Sequence, residues 1–309
     1  MNWLIVGQGA IGLLWYHYLQ QHKEKNQRSD ITSLSLLASK NHDHSQQAYQ
    51  FTDIKQNIFQ GKVHYAAQQQ LQSADTIFLC LKSYQIASAI NQIKAEIKTN
   101  ANIILAHNGM GTLEEIPLDF SKTRSIYSLI TTHGCLRTQP LTITHTGIGK
   151  TELGLLSGNA NPDIEQVLSS TLHRALPPTT FEADIIKKQW LKLAINCVIN
   201  PITALNDINN GLVSNSKFAQ QIQQIINEVV TVAKEEGIEL SKCELINNVQ
   251  TVAQATASNC SSMRCDVLAK RQTEIQYING YIHRLGIKHN IATPENTKMY
   301  NSIKHLFAV

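Results

Sequence analysis

The 309-residue sequence lacks the features that would place it in a membrane or on a nucleic acid. No apolar run is long enough to span a bilayer, which argues against a transmembrane helix. The formal net charge of +4 is spread along the chain, and no basic run or aromatic-basic motif occurs. Neither a membrane partner nor a nucleic-acid partner is therefore predicted.

Cysteine is scarce, and the cysteines that occur do not follow the spacing of metal ligands. All lie in apolar or helical stretches, which favours reduced thiols in a cytoplasmic protein, and no metal site is predicted. They are Cys80, Cys135, Cys197, Cys243, Cys260 and Cys265. The apolar N-terminus lacks the basic segment that begins a signal peptide.

A glycine motif follows the first apolar run, Trp3-Leu4-Ile5-Val6. It reads Gly7-Gln8-Gly9-Ala10-Ile11-Gly12, and a helical stretch comes directly after it. In this order of strand, glycines and helix, Gly7 permits the tight turn, Gly9 lets the backbone approach a pyrophosphate, and Gly12 allows close packing of helix on strand. The helix N-terminus then attracts the phosphates. The motif predicts a dinucleotide site formed by these six residues.

Further apolar runs alternate with polar stretches of helix length, and this alternation predicts a Rossmann-type doubly wound parallel sheet. The runs are LSLLA (34 to 38), TIFLCL (76 to 81) and NIILAH (102 to 107). Sites for NAD usually have an acid at the end of the second strand, where this chain has Ser39 and Lys40. A hydroxyl and an ammonium favour a 2′-phosphate, so NADPH is predicted, although Asp43 nearby would favour NADH.

Two other motifs are interpreted as coincidental. Gly147-Ile148-Gly149-Lys150-Thr151 resembles the end of a P-loop, but the first glycine of that motif would fall at Thr144. The surrounding LTITHTGIGKTELGL alternates like a β-hairpin instead of opening a helix. Tyr300 and Lys304 have the YxxxK spacing of short-chain dehydrogenases, but they lie in the last predicted helix.

From about Asp184 the sequence changes to long helical periodicity with few strand signals. This change predicts a Rossmann domain over residues 1–183 and an all-α domain over residues 184–309. In WLKLAINCVINP (190 to 201), Lys192, Asn196 and Asn200 recur every fourth residue among apolar positions. Each step advances about 40° around a helix, so the three side chains share one face. Pro201 is expected to bend or end this helix.

A second set of polar residues follows a helix that is predicted to end at Gly237. The set comprises Asn259, Ser262, Asp266 and Glu274. In one straight helix Ser262 and Glu274 would lie about 18 Å apart, too far to share a small ligand. A capping box of Thr273 with Gln276 predicts a break that brings the ends together. Helix caps and solvent contacts are an equally good interpretation of Asn259 and Asp266.

Taken together, these blocks resemble the ketopantoate reductase (2-dehydropantoate 2-reductase) family, in order and with similar spacing from the first strand to the last helix. The matching blocks are GQGAIG, Lys82 of LCLK, HNGMGT (107 to 112), WLKLAINCVINPITAL (190 to 205), SNCSSM (258 to 263), TEIQYING (273 to 280) and PENT (294 to 297). The resemblance implies a Rossmann domain, a helical domain like that of 6-phosphogluconate dehydrogenase, and a substrate in the cleft between them. It also implies reduction of ketopantoate to (R)-pantoate with NADPH, a step towards pantothenate and coenzyme A.

The resemblance assigns roles to the polar residues. Lys192 is implied to be the general acid that protonates the alkoxide left by hydride transfer, and Glu274 to meet the substrate hydroxyl and help place Lys192. The residues implied to line the substrate site are Asn108, Asn196, Asn200, Asn210, Asn259 and Ser262. Asn108 and Lys82, which follow strands at their carboxyl ends, are implied to lie near the cofactor. Where family members carry Arg, this chain has Ser39 and then Lys40, which lacks the bidentate fork of arginine.

Two alternatives remain open at this point. The chain could be a reductase of another branched 2-keto acid, which depends on the pocket lining. It could instead be a non-catalytic NADP-binding sensor, but such a protein has no need of both Lys192 and Glu274. The apolar helical surfaces are compatible with a monomer or a homodimer.

Overall fold

The computed structural model describes residues 1–25, 29–38 and 47–307, and the chain forms two compact units. The first, here called the sheet unit, comprises Met1–His107 and Glu115–Ile185. The second, the helical unit, comprises Asn108–Glu114 and Ile186–Val309. A short segment directly after a central strand therefore packs with the helices.

All of the described strands belong to the sheet unit. They are β1 (Asn2–Val6), β2 (Ser33–Leu37), β3 (Ala48–Thr52), β4 (Ile58–Lys62), β5 (Thr76–Leu79), β6 (Asn102–Leu105), β7 (Ile126–Thr131), β8 (Gly134–Gln139), β9 (Thr142–Gly147), β10 (Thr151–Ser157) and β11 (Thr179–Phe181).

The α-helices are distributed over both units. They are α1 (Ala10–Lys25), α2 (Gln68–Ser73), α3 (Ile86–Ile93), α4 (Thr112–Glu115), α5 (Leu118–Ser121), α6 (Pro162–Ala175), α7 (Ile185–Asn206), α8 (Ala219–Glu235), α9 (Lys242–Ala255), α10 (Ser262–Leu268), α11 (Asn279–Lys288) and α12 (Pro294–His305). Short 3-10 turns occur at Ser83–Gln85, Asn210–Ser214, Ser216–Phe218 and Ile275–Tyr277.

The larger sheet has seven strands in the order β11-β10-β7-β6-β5-β1-β2. Within this sheet β2, β1, β5, β6 and β7 run parallel to one another, whereas β10 runs antiparallel to β7. The apolar runs predicted as buried strands form β1, β2, β5 and β6, and the predicted fold class is confirmed. The carboxyl ends of β1, β5 and β6 therefore meet at one edge, where such sheets bind ligands.

The smaller sheet has four strands in the order β4-β3-β9-β8. The sequence predicted a hairpin over LTITHTGIGKTELGL, and this prediction was wrong: β9 pairs with β8 and β3, whereas β10 pairs with β7 and β11. Alternation of apolar and polar residues reports which face of a strand is buried. It does not identify the neighbouring strand, so two adjacent strands of different sheets resemble a hairpin.

Helix α1 contacts both sheets. The ring of Trp15 lies 5.7 Å from that of Phe78 in β5, and the imidazole of His17 stacks on Phe51 in β3 at 3.7 Å. The Nδ1 atom of His17 also lies 3.0 Å from the Tyr49 hydroxyl. Because the helix is covered on two sides, its buried residues extend around its circumference instead of forming one stripe.

Replacing His17 by leucine is expected to weaken the acid sensitivity of the fold. Burial, with a smaller contribution from Lys25, lowers the pKa of His17 from 6.5 to about 4. Between these pH values the unfolded chain binds a proton that the folded chain excludes, so the free energy of unfolding falls as pH falls. The loss is on the order of 3 kcal/mol for one such histidine.

The test is the urea midpoint measured as a function of pH across that window, in the wild type and in His17→Leu. The midpoint of the variant should fall less steeply, whatever its absolute value at neutral pH. Equal slopes would show that His17 does not contribute to acid unfolding.

The core of the helical unit is formed by apolar faces of α7, α8, α9, α11 and α12. Helix α8 ends at Glu235, and Gly237 follows with a φ of +78°. A left-handed residue just beyond a helix is the position where glycine costs least. The predicted end of this helix at Gly237 is therefore confirmed.

Helix α7 continues through Pro201 as far as Asn206. Pro201 therefore does not end the helix, which was one of the two outcomes expected for it. A proline inside a helix leaves the carbonyl four residues earlier without its usual donor. Here that carbonyl belongs to Cys197, and the Nδ2 atom of Asn279 donates to it at 2.9 Å.

A break separates α10, which ends at Leu268, from α11, which begins at Asn279. The break was predicted, but the capping box was wrong. The hydroxyl of Thr273 accepts from the N–H of Ile275 at 3.4 Å, and only a 3-10 turn follows. The α-helix begins several residues later because this turn comes first.

Three further observations concern the described part of the chain. None of its helices combines the length and the apolarity needed to cross a membrane. It also contains no group of three or more His, Cys, Asp or Glu side chains arranged to hold a metal ion. All six cysteines are free.

Candidate active site

The glycine motif forms a tight turn between β1 and α1. Gly7 has a φ of +107°, and a Cβ atom there would lie 2.5 Å from the carbonyl oxygen of Cys80. A Cβ on Gly12 would lie 2.1 Å from the carbonyl oxygen of Gly7. Both positions therefore require glycine for the packing of the turn itself.

Gly9 differs, because a Cβ at this position would meet no atom of the described residues within 4 Å. The open side of Gly9 adjoins the N-terminus of α1, whose first N–H groups have no partner within the helix. The first turn of α1 contains no acidic residue. Open space, backbone donors and the absence of a carboxylate suit a pyrophosphate, so these residues fit a dinucleotide.

Neighbouring residues hold the turn in place. The N–H of Gly7 donates to the Leu37 carbonyl at the end of β2, at 3.1 Å. Arg137 of β8 donates from Nη1 to the Gln8 carbonyl at 3.1 Å, and the thiol of Cys135 lies 3.4 Å from the Ala10 carbonyl. The smaller sheet thus supports the turn from outside, and no pattern in the sequence indicated this support.

The other residues predicted to bind the cofactor follow strands of the larger sheet. Lys82 follows β5 and is half-buried, and its N–H donates to Gln85 Oε1 at 3.1 Å. Within the glycine motif, Ile11 lies in the first turn of α1 and packs against the core of the sheet unit. Ser39 and Lys40, predicted to receive the 2′-phosphate, lie outside the described residues, as does Asp43.

In the helical unit, Lys192, Asn196 and Asn200 lie along α7 at intervals of four residues. Lys192 and Asn196 are half-buried, and Asn200 is buried. Successive members of the row are separated by about 6 Å along the helix axis. The helix therefore presents an ammonium and two amides in one row, as the spacing predicted.

Glu274 and Asn108 form a paired contact. Glu274 is 4% exposed. The N–H of Asn108 donates to Glu274 Oε1 at 3.3 Å, and Asn108 Nδ2 donates to Oε2 at 3.2 Å. Two residues that were predicted from separate motifs, 166 positions apart, therefore contact each other directly.

Backbone contacts around Gly109 bring these two residues together. Gly109 has a φ of +82°, and a Cβ there would lie 2.3 Å from the Tyr277 carbonyl oxygen. The N–H of Met110 donates to this same oxygen at 2.8 Å. The glycine in HNGMGT thus lets one backbone approach the other closely enough for Asn108 to reach Glu274.

Asn210 and Asn259 also lie together. The N–H of Asn210 donates to the Asn259 carbonyl at 3.1 Å, and Asn210 Nδ2 donates to the Thr256 hydroxyl at 3.0 Å. The Oδ1 atom of Asn210 is buried and has no hydrogen-bond partner among the described residues. A buried acceptor of this kind is suited to a donor on a ligand or a water molecule.

Ser262 is exposed at the start of α10, and the residue before it carries a contact that the sequence did not predict. Ser261 accepts from the N–H of Arg264 at 3.1 Å and lies 2.7 Å from the Thr203 hydroxyl of α7. Asp266 forms an ion pair with Arg271 at 3.0 Å. A serine before the helical run SMRCD was a visible cap signal, but its partner on α7 was not.

Comparison with known protein families finds two matching family profiles. The profile described as "Ketopantoate reductase PanE/ApbA" matches residues 3–158. The profile described as "Ketopantoate reductase PanE/ApbA C terminal" matches residues 184–307.

Relatives that match along nearly their whole length are named 2-dehydropantoate 2-reductase, which is a synonym of ketopantoate reductase. A 2-dehydropantoate 2-reductase of Yersinia pestis is 33% identical over 309 residues, which cover 98% of this chain and 94% of that protein. A 2-dehydropantoate 2-reductase of Vibrio cholerae is also 33% identical over 309 residues, covering 99% of this chain and 98% of that protein.

Solved structures share the fold. A D-mandelate dehydrogenase with NADH and anilino(oxo)acetate has a TM-score of 0.88 at 23% identity, covering 99% of this chain and 98% of that one. A dimeric ketopantoate reductase from Staphylococcus aureus has a TM-score of 0.82 at 22% identity, covering 99% of both chains. At these identities the likeness concerns the fold alone.

Proposed function

Because the chain belongs to the ketopantoate reductase family, we propose that it reduces 2-dehydropantoate (ketopantoate) to (R)-pantoate with NADPH. The observation that carries this proposal is the 33% identity with 2-dehydropantoate 2-reductases over 98% of the chain. The reaction is an oxidoreduction that belongs to pantothenate and coenzyme A biosynthesis. We assign the cofactor to residues 1–183 and the catalytic and substrate-binding groups mainly to residues 184–309.

The nicotinamide cofactor is assigned to the glycine turn and the adjacent strand ends. The backbone of Gly7, Gln8, Gly9, Ala10, Ile11 and Gly12 would hold the pyrophosphate. Lys82 and Asn108, after β5 and β6, would lie towards the nicotinamide. Ser39 and Lys40 would meet the 2′-phosphate and favour NADPH over NADH. When bound, a reduced nicotinamide would supply the hydride for C2 of the substrate.

Lys192 is the proposed general acid. Reduction of a ketone places negative charge on the C2 oxygen, and a proton must reach that oxygen as the charge develops. An ammonium both stabilises this charge and donates the proton. The half-buried position of Lys192 on α7 leaves part of the side chain accessible to a ligand.

Glu274 is the proposed partner of the substrate hydroxyl. Its two carboxylate oxygens accept from Asn108, and these two contacts fix the orientation of the carboxylate. A carboxylate held in this way would accept from a substrate hydroxyl and attract the ammonium of Lys192. This arrangement also brings Asn108 into the same site.

The asparagines and Ser262 are proposed to bind the remaining polar atoms of the substrate. An amide both donates and accepts, so Asn196, Asn200 and Asn210 satisfy a keto acid without placing a negative charge beside its carboxylate. Ser262, at the start of α10, and Asn259, three residues earlier, would donate to the substrate carboxylate or line its site. The protein is proposed to act in the cytoplasm, as a monomer or a homodimer.

A panel of 2-keto acids tests the substrate assignment. We expect kcat/KM with NADPH to be highest for ketopantoate and at least tenfold lower for 2-oxoisovalerate, which lacks the hydroxyl proposed to meet Glu274. Loss of one hydrogen bond to a buried charged group lowers kcat/KM by about tenfold or more. Phenylglyoxylate, a keto acid without that hydroxyl, is the second comparison. A higher kcat/KM for either would transfer the assignment to another keto acid.

A further inference from the structure

The carbonyl of Cys197 has an unusual hydrogen-bond donor. Inside α7 it would normally accept from the N–H of residue 201, but Pro201 has none. Asn279 Nδ2 donates to this oxygen at 2.9 Å, and the side chain of Asn279 is fully buried. Cys197 lies between Asn196 and Asn200 in the sequence, so the contact is made beside the polar row of α7.

The chemistry of its partners determines the orientation of the Asn279 amide. Its other Nδ2 contact is Asn296 Oδ1, at 3.0 Å. Asn296 Nδ2 in turn donates to the Ile225 carbonyl at 3.2 Å and to Glu228 Oε2 at 2.7 Å. Because the Cys197 carbonyl, the Ile225 carbonyl and the Glu228 carboxylate only accept, each amide must direct its Nδ2 towards them. In this orientation Asn279 Oδ1 is buried without a hydrogen-bond partner among the described residues.

Glu228 of α8 accepts hydrogen bonds from the N-terminus of α12. Its Oε1 atom accepts from the N–H of Glu295 at 2.8 Å, and Oε2 accepts from the N–H of Asn296 at 2.9 Å. These donors lie in the first turn of α12, where a carboxylate is favoured by the helix dipole. Asn279 is thus bonded directly to α7 and α12, and Asn296 connects it to α8.

A short stretch of backbone connects Asn279 with the proposed site. Between Glu274 and Asn279 lies a 3-10 turn in which the N–H of Tyr277 donates to the Glu274 carbonyl at 2.9 Å. The Tyr277 carbonyl accepts from Met110, and the Glu274 carboxylate accepts from Asn108. A displacement of Asn279 would therefore be transmitted to both Glu274 and Asn108.

We propose that Asn279 is a positioning residue that sets Glu274 and Asn108 relative to the Lys192 row of α7. The proposal rests on the roles assigned above to Lys192 and Glu274. Asn279 itself contacts neither substrate nor cofactor in this account. The alternative is that Asn279 has a purely structural role, in which it donates to the Cys197 carbonyl because Pro201 has no N–H.

Pro201→Ala separates the two parts. Alanine restores an N–H at residue 201, which donates to the Cys197 carbonyl as in an ordinary helix. In this background Asn279→Ala no longer leaves the Cys197 carbonyl unsatisfied, although it removes the donor to Asn296 Oδ1, and it still releases the Glu274 segment from α7. The comparison is therefore between Pro201→Ala and the double variant Pro201→Ala/Asn279→Ala.

If Asn279 positions the site, kcat with ketopantoate and NADPH should be at least about tenfold lower in the double variant than in Pro201→Ala, because misplacement by about 1 Å is costly. The Kd of NADPH should change much less than kcat, because the glycine turn that is assigned to the pyrophosphate is untouched and Asn108 is the one proposed cofactor contact on the released segment. A kcat within about twofold of that of Pro201→Ala would overturn the proposal, since positioning losses are larger than this. Leu245→Ala, a buried change in α9, is the control for loss of stability alone and should retain kcat.

Hydrogen exchange gives a second readout that does not depend on turnover. The N–H groups of Asn108 and Met110 should exchange faster in the double variant than in Pro201→Ala, because their acceptors are on the released segment. Unchanged exchange at both would refute the positioning part. Absence of ketopantoate turnover in the wild type would instead refute the proposed function, and exchange alone would then decide whether Asn279 holds this segment.

Discussion

Replacing Lys192 by alanine is expected to lower kcat for ketopantoate by at least a hundredfold. Removal of a general acid typically costs about 10²–10⁴ in rate, because the alkoxide must take its proton from water. The Kd of NADPH should remain within about twofold of the wild-type value, because the lysine is assigned to the substrate and not to the pyrophosphate. Steady-state rates and fluorescence titration of NADPH measure the two quantities separately.

Lys187→Ala is the matched control for this variant. Lys187 is an exposed lysine on the same helix, five residues before Lys192 and therefore on another face. Its loss changes the charge of α7 by the same amount without removing the proposed donor, and kcat should be retained. Equal losses in the two variants would mean that the net charge of the helix matters and that Lys192 is not the acid.

Replacement of glycine by alanine is expected to weaken NADPH binding at Gly9 and to destabilise the fold at Gly12. At Gly9 the new methyl group meets no atom within 4 Å in the part of the chain that the structure describes, so the fold should be unaffected. The methyl would occupy the space assigned to the pyrophosphate, and we expect the Kd of NADPH to rise by roughly tenfold or more. At Gly12 the methyl would lie 2.1 Å from a backbone oxygen, so the turn itself must shift.

Thermal unfolding and NADPH titration of both variants test this contrast. Gly9→Ala should keep the wild-type Tm and lose affinity, whereas Gly12→Ala should lose several degrees of Tm or fail to fold, as expected for overpacking at a rigid backbone contact. An unchanged NADPH affinity in a well-folded Gly9→Ala protein would remove the dinucleotide from this turn.

Local patterns in the sequence predicted much of what positions the proposed site. The turn after β1 was predictable because Gly7 and Gly12 are required by contacts within a short stretch of chain. The row on α7 was predictable because helical periodicity alone determines which residues share a face. The end of α8 at Gly237 was predictable because a residue with positive φ beyond a helix favours glycine.

The remaining features depend on partners far away in the sequence. The smaller sheet pairs β3 with β9, which lies some ninety residues later, and alternation in β9 does not specify that partner. Helix α7 continues past Pro201 with a donor from Asn279, 82 residues away. Asn108 and Glu274 were each chosen from a motif, but their contact depends on the close approach at Gly109.

This chain is proposed to transfer hydride from NADPH to ketopantoate. The most direct measurement is the loss of NADPH absorbance after addition of ketopantoate to the purified protein, with pantoate quantified in the same reaction. We expect one pantoate formed for each NADPH consumed, over many turnovers, and a lower kcat/KM with NADH. Tight binding of NADPH without pantoate formation would refute the proposed ketopantoate reduction and indicate a sensor protein or a different keto acid.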